Sequence, residues 1–472
     1  MEFEFPMLSL SELVKVKGGK RLPKGSSLQK DKNSHPYIRV RDMGERYIPD
    51  TGLEYVPNGI FPKIQRYIVE ENDVLVSIVG TIGLVSVIDT RFHLASQTEN
   101  CAKLSGLDAV DALYLYYFLS SPFGQQEIMQ ATVGAVQAKL PLYNIEKIPV
   151  NWPNRIIRES IVASLGSLDE KIELNCETNE TLEKIAQVIF KSWFVDFEPT
   201  RAKIKAKQDW ANNSDTAKAF KSTHATIGAG TGGNDDDAQS LFMERAAMAA
   251  ISSTTTTSNS EGLKTLDELP EATLQQLKTT AAFFPDALVD AEFGEVPEGW
   301  GIETLEDVIE LAYGKALKKD DRTEGDFPVY GSGGLTGTHN ESLVDGPGII
   351  VGRKGTVGAL YWEDKSFFPI DTVFYVKCKN RVSLAYVYYL LKTLGLETMN
   401  TDAAVPGLNR NNAYRLEIPK TPANLKDLFT TTVNTLRNRI SNNVKQTESL
   451  VTIRDSLLPK LLSGELPIND AA

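Results

Sequence analysis

The strongest constraint on the fold of this 472-residue chain is an apolar stripe that occurs twice. Between Ile156 and Phe197, Ile161, Leu165, Leu168, Ile172, Leu182, Ile189 and Trp193 fall on alternating steps of three and four. Asn175 and Asn179 are the polar members of the same stripe. Moving 268 positions along the chain gives Phe429, Val433, Leu436, Ile440, Leu450, Leu457 and Leu461, with Asn443 and Thr447 on the two asparagines. A helix carrying this period over about 44 residues is ~66 Å long at 1.5 Å per residue and needs a partner helix alongside it. An isolated stripe is ordinarily a core-facing surface. Here a matching stripe lies in the same chain, so the two helices are expected to pair with each other, antiparallel, with polar breaks that fix the register.

The segments outside the helices form two globules that echo each other. In the first, Tyr37–Arg41, Asp73–Val79 and Leu84–Ile88 read as strands, and Leu113–Leu119 as a buried helical segment. The second begins near Pro297. Leu305–Val308 matches Leu10–Leu13, Gly355–Gly358 matches Gly80–Gly83, and Ile418-Pro419 matches Ile148-Pro149, at offsets that shrink from 295 to 275 to 270. The globules have therefore diverged in length while the helices align without a gap. The pattern is α+β: two globular domains joined and spaced by two long helices in an antiparallel coiled coil. The expected boundaries are 1–153 and 297–421 for the domains, 154–198 and 422–472 for the helices with the C-terminal tail, and 199–296 for an acidic low-complexity linker. Tracts such as Gly228–Asp237 and Ile251–Ser260 bury too little to order themselves, so structure between 206 and 280 is expected to be local, with a helix around Leu241–Ala250.

A net charge of −12 argues against a polyanionic partner until its distribution is considered. Thr231–Trp300 holds 13 acidic and 3 basic residues, whereas Val14–Arg41 holds 9 Lys or Arg against Asp31 alone. A local field of that kind attracts a polyanion irrespective of the total; a merely solvated basic face is the plain alternative. No apolar run reaches membrane-spanning length, the first 18 residues lack a basic-then-apolar leader, and Cys101, Cys176 and Cys378 are odd in number and widely spaced. A cytoplasmic protein with reduced thiols and no membrane partner is expected.

Catalytic motifs are missing. The chain has no HExxH, paired CxxC, GxSxG, Walker A or Asn/Asp-Pro-Pro-aromatic segment, and its four histidines are scattered. Tyr330–Gly334 is glycine-rich but lacks the Lys-Ser/Thr of a phosphate-binding loop. The turn Gly355–Gly358 follows Arg353 and Lys354, donors suited to phosphate or a guanine edge. Its first copy, Gly80–Gly83, follows Ile78 and Val79, which leaves Lys20, Arg21 and Lys24 as the basic group of that globule.

Six segments together resemble one family: Gly18–Gly25, Leu168–Asn175, Phe190–Glu198, Phe284–Asp286 with Gly294–Trp300, Arg353–Gly358 and Ser456–Gly464. They resemble the specificity subunit of type I restriction-modification systems. The resemblance implies two target-recognition domains, each reading one half of a split double-stranded DNA sequence, and a helix pair that sets the gap. It also implies two modification subunits carrying S-adenosylmethionine and restriction subunits using ATP and Mg, with no cofactor, metal or catalysis in this chain. Candidate DNA contacts are Lys20, Arg21, Lys24, Arg39, Arg41, Thr81 and Lys139 in the first domain, and Arg353, Lys354, Thr356 and Arg410 in the second. Leu168, Ile172, Asn175, Asn179, Leu182, Leu436, Ile440, Asn443 and Leu450 are the candidates for helix register and partner docking. A coiled-coil scaffold that reads no DNA sequence is the alternative from the residues alone, and a self-contained methyltransferase a third.

Overall fold

The computed structural model describes residues 5–134, 138–212, 220, 235–253, 266, 268–291, 294–400 and 407–466. The chain divides into two units, Met1–Asn175 with Lys445–Ala472, and Cys176–Val444. Each holds one α+β domain and a part of each long helix, Arg155–Phe194 and Ala423–Ser463.

The two domains share one topology. The first has a four-stranded antiparallel sheet ordered Lys15–Gly18, Cys101–Ser105, Val74–Ser77, Val85–Val87. The second has Ile309–Tyr313, Val373–Cys378, Gly348–Gly352, Leu360–Glu363 in the same order. A three-stranded sheet, one pair antiparallel and one parallel, accompanies each: Glu54–Tyr55, Pro36–Ile38, Ser96–Gln97, and Gly334–His339, Phe327–Gly331, Phe368–Pro369. A short antiparallel pair leads into each long helix: Met7–Ser9 with Pro149–Asn151, and Gly301–Thr304 with Glu417–Lys420.

Local chemistry sets several boundaries. The expected strand at Tyr37–Arg41 ends at Ile38, because the Asp42 carboxylate accepts from the Arg39 N–H at 2.8 Å and turns the chain into a 3₁₀ segment, Val40–Asp42. The glycine-rich Tyr330–Gly334 is a hairpin corner between two strands rather than a phosphate cradle. The first long helix stops at Phe194, short of Phe197, which adopts a left-handed φ of 53° while the Asp196 N–H caps the Lys191 carbonyl at 2.8 Å.

The helices pack where the apolar stripe predicts. In the first unit, Ile161 and Leu165 are fully buried with Tyr114, Phe118 and, from the last helix, Leu462. In the second, Phe190 lies 5.4 Å from the rings of both Tyr386 and Phe429, and Trp193 and Phe194 close round the same cluster. Burying a side chain the size of Phe190 contributes roughly 1.5–3 kcal/mol. Residues early in one helix meet residues late in the other in both units, so the pair is antiparallel.

The stretch read as a linker contains more structure than composition suggested. Its described residues form helices Glu198–Asn212, Asp235–Ser253 and Glu271–Ala281 and the strand pair Leu288–Ala291 with Gly294–Pro297. Ala247, Met248, Ile251, Leu266, Ala281 and Phe284 join the core of the second unit. Lys203 fastens two of these elements, donating to the carbonyls of Ala281 at 2.8 Å and Phe284 at 2.6 Å, and burial pushes its pKa down. The apolar residues are interspersed among acidic and Ser/Thr-rich tracts, which lowers the mean hydropathy of the segment without removing its buried face. Residues 228–234 and 254–260 of the low-complexity tracts lie outside the described residues.

Candidate nucleic-acid interface

The glycine turns occupy the same place in both domains. Gly80 and Gly355 each adopt φ 83°, left-handed values that glycine reaches without a Cβ clash. The Gly83 N–H donates to the Ser77 carbonyl at 3.1 Å, and the Gly358 N–H to that of Gly352 at 2.8 Å. The residue two before each turn is tied at both ends. Ile78 donates to Asn100 and accepts from Leu140, while Arg353 donates to Thr372 and accepts from Leu408. A second pair of glycines, Gly19 and Gly314, follows the first strand of each large sheet. A Cβ at either would fall 2.1 Å from a carbonyl, of Thr98 or of Ile370.

This framework assembles the predicted residues of the second domain. Arg353 donates to the Asp371 carbonyl at 2.9 Å, and its guanidinium lies 4.9 Å from the centre of the Tyr313 ring. Arg410 reaches the same ring at 5.0 Å, with Tyr414 at 5.7 Å. Lys354 and Thr356 are exposed on the adjoining turn. Among the described residues, no carboxylate pairs with Arg353, Lys354 or Arg410. Tyr313, which sequence reasoning missed, is half exposed and is set by edge contact with buried Phe374 at 5.0 Å. Its signal was its position immediately before Gly314.

The first domain is different at the same positions. Gly18 stands for Tyr313, Ile78 for Arg353 and, two residues beyond Leu140 as Arg410 is beyond Leu408, Leu142 for Arg410. Leu142 closes over Gly18, 3.4 Å from where a Cβ would sit. The predicted cations there are dispersed. Lys20 and Lys24 are exposed, with the Lys20 ammonium 5.7 Å from the Tyr67 ring centre. Arg21 is exposed but paired with Glu99. Arg39 is paired with Glu54 and Asp42, and Arg41 bridges to Asp42 at 3.4 Å and Glu54 at 3.5 Å. These carboxylates neutralise both arginines, which the sequence reading treated as available. Thr81 is exposed on its turn, and Lys139 is exposed on a segment whose backbone pairs with Val133 and Val79.

The helix candidates line the seam between the two long helices. Leu168, Ile172, Leu182, Leu436, Ile440 and Leu450 are half-buried, as side chains of a two-stranded pair are. In the first unit Asn175, 2% exposed, donates to Gln446 Oε1 at 2.9 Å and Thr447 Oγ1 at 3.3 Å. In the second, Asn443 donates to Asn179 Oδ1 at 2.9 Å. Each polar break meets its counterpart on the other helix.

Charged groups missed from sequence reinforce each pairing. Asp169 accepts from the Tyr117 hydroxyl at 2.7 Å and from Arg454 at 2.9 Å. Burial, and then the Asp169 charge, pushes the Tyr117 phenol far above its ordinary value. In the second unit Glu183 meets Lys392, Tyr389 at 2.9 Å and Arg437 at 3.5 Å. Burial raises the Glu183 carboxyl, but the hydrogen bond and charge of Lys392, with hydrogen bonds from Gln187 and Tyr389, outweigh it and hold the pKa below its ordinary value.

Comparison with known proteins follows the same division of the chain. The family described as the type I restriction modification DNA specificity domain matches residues 4–184 and 297–424, more than half of the chain and part of each repeat. The chain belongs to this family. It is accordingly a DNA-recognition subunit of a type I restriction-modification system. One related protein is the type I restriction enzyme HindI specificity subunit of Haemophilus influenzae, 27% identical over 352 residues, covering 68% of this chain and 70% of that one. Another is the MjaIX specificity subunit of Methanocaldococcus jannaschii, 24% identical over 447 residues, covering 93% and 86%. Among solved structures, the S subunit from M. genitalium aligns over 97% of this chain and 96% of its own, at 18% identity and a TM-score of 0.48. The HsdS subunit from Thermoanaerobacter tengcongensis covers 98% and 97%, at 10% identity and a TM-score of 0.30.

In this specificity subunit, the described residues contain no group of three or more His, Cys, Asp or Glu placed to hold a metal ion. No helix among them is long and apolar enough to cross a membrane.

Proposed function

We propose that each domain reads one half of a bipartite double-stranded DNA target and that the helix pair sets the gap between the halves. The observation that carries this reading is a repeated topology with unlike chemistry at equivalent positions. Two domains built on the same strand order carry Arg353, Tyr313 and Arg410 in one case and, in the other, a buried Ile78, Gly18 and a Leu142 packed on the core. A single-target protein has no use for such a difference between equivalent positions; a reader of two unlike half-sites requires it. The seam supports the spacing role, since polar contacts at Asn175 and Asn179 resist slippage of one helix along the other.

In this reading the subunit is non-catalytic and cytoplasmic. It docks two modification subunits, on which S-adenosylmethionine is bound and adenine methylated, and restriction subunits that use ATP and Mg. The chain's part is to place DNA. Basic side chains without carboxylate partners supply phosphate contacts, and side chains at the glycine turns reach base edges.

Replacing residues 1–153 with the equivalent domain of another family member tests the proposal. Sequencing of methylated adenines in the host genome should show one half of the target changed and the other kept. A change in both halves, or in neither, would overturn the bipartite reading. Sequence-independent DNA capture by the assembled complex would favour a scaffold.

A further inference from the structure

We infer that Tyr313 is the positioning residue of a two-arginine DNA contact that exists only in the second domain; the inference rests on the bipartite reading above. The argument begins with the cost of order. An exposed arginine loses much rotamer freedom when it fixes on a DNA acceptor, so a site that holds its arginines beforehand binds more tightly and more selectively. Tyr313 can hold two. The Arg353 and Arg410 guanidinium carbons lie 4.9 and 5.0 Å from its ring centre, within the range of cation–π attraction.

The ring is itself held. Tyr313 ends a strand paired with Val373–Cys378, opposite Phe374, whose buried ring meets it at 5.0 Å and 61°. Each arginine has a further tether, Arg353 to the Asp371 carbonyl at 2.9 Å and Arg410 to that of Leu311 at 3.5 Å. The tethers are neutral and leave both positive charges unpaired among the described residues. Two like charges converging on one half-exposed ring, without a carboxylate between them, form a site for an anionic or electron-rich acceptor. On DNA the acceptors are phosphate oxygens or the O6 and N7 of guanine.

The first domain provides the internal comparison. Its main chain makes the same hydrogen bonds at Ile78, Gly83 and Gly19, yet the three side chains are absent or apolar. The arginine pair is therefore an addition to the shared framework and not a requirement of it. Tyr313 contributes an exposed phenol where Gly18 suffices for folding.

The test uses the full chain assembled with its modification subunits. The probe is a duplex carrying the bipartite sequence obtained from the methylated host genome, together with versions in which either half is scrambled. Y313L, R353Q and R410Q should each weaken binding to the intact duplex by about tenfold. Y313F, which keeps the ring, should stay within about twofold of wild type. Binding to a duplex truncated to the first half, which presents no DNA to the second domain, should be unaffected in all four. Native-state hydrogen exchange of peptides spanning 309–313 and 348–378 within about twofold of wild type separates loss of the site from loss of the second domain's fold. A uniform loss across second-half sequences, with a salt slope lower by about one, assigns phosphate as the acceptor. Relaxed preference at one base position assigns a guanine edge. If wild type does not distinguish the scrambled second half, the bipartite reading itself fails. If wild type distinguishes it and Y313L, R353Q and R410Q bind the intact duplex as tightly as wild type, with the same salt slope and the same base preferences, the arginine site is overturned and the bipartite reading stands.

Discussion

Asp169 offers the sharpest test of how the first domain grips the helices. Its carboxylate is 7% exposed and joins three elements: its own helix, the Tyr117 helix at 2.7 Å and the last helix through Arg454 at 2.9 Å. Asp169→Ala removes both hydrogen bonds, but the two partners suffer unequally. Arg454 keeps Asp455 at 2.8 Å and is 28% exposed, so water replaces much of what it loses. Tyr117 is 2% exposed and its hydroxyl is left buried without an acceptor. A hydrogen bond to a charged group contributes about 1.5–3 kcal/mol and an orphaned buried donor costs a similar amount, giving ~3 kcal/mol for Asp169→Ala. Tyr117→Phe leaves no orphaned donor and keeps the Arg454 contact, so its cost is about 1.5 kcal/mol. The double variant should cost little more than Asp169→Ala alone, a coupling of about 1.5 kcal/mol. Because the chain has two units, a single unfolding midpoint would mix them. Native-state hydrogen exchange of peptides spanning 109–120 and 155–175 reads the local effect. At ~1.4 kcal/mol per tenfold, their slowest amides should exchange about a hundredfold faster in Asp169→Ala. Exchange within about twofold of wild type, or single-variant costs that add in full, would refute the reasoning.

Two other outcomes follow from the same structure. One heptad inserted after Asn175 and another after Asn443 lengthens each helix by about 10.5 Å, or roughly three base pairs of DNA. The gap in the methylated target should grow accordingly, and an unchanged gap would contradict the proposed ruler. Stability of the first domain should fall in alkali, because burial pushes the Cys101 thiol and the Tyr116 phenol each up to about 12. The folded state resists ionising these groups and the unfolded chain does not, so their contribution is complete below about pH 9 and is lost toward pH 12. Hydrogen exchange at 96–105 across that range checks the sign, and Cys101→Ala should flatten the profile.

The helix pair was legible because its information is local and periodic. The polar positions Asn175, Asn179, Asn443 and Thr447 could be matched by counting, and two hydrogen bonds between the helices pair all four. The grouping of Arg353, Lys354 and Thr356 was legible for the same reason, since a glycine turn keeps neighbours in sequence together in space. Tyr313 was not, because its approach to Arg353 and Arg410 depends on strand pairing across distant segments. Arg39 and Arg41 looked available for want of the partner Glu54, which arrives from a separate strand. The Asp169 and Glu183 contacts were hidden likewise, each joining a helix residue to partners in two other elements. The helix expected around Leu241–Ala250 is present as Asp235–Ser253, whereas Glu198–Asn212 and Glu271–Ala281 escaped notice because composition averages over the few buried residues, such as Ala206 and Ala281, that each provides.

The main-chain bonds around Gly19 and Gly314 bear on how such a protein changes its target. They fix the backbone beneath the turn through carbonyls and N–H groups, which every residue type possesses. That backbone geometry does not depend on the side chains at the three variable positions: Ile78 and Leu142 pack into the core of the first domain where the second carries two arginines, and Gly18 stands where it carries a tyrosine. On the proposed reading, one backbone can therefore carry either an apolar cover or a pair of arginines at these positions, provided that the residues packed together there change together.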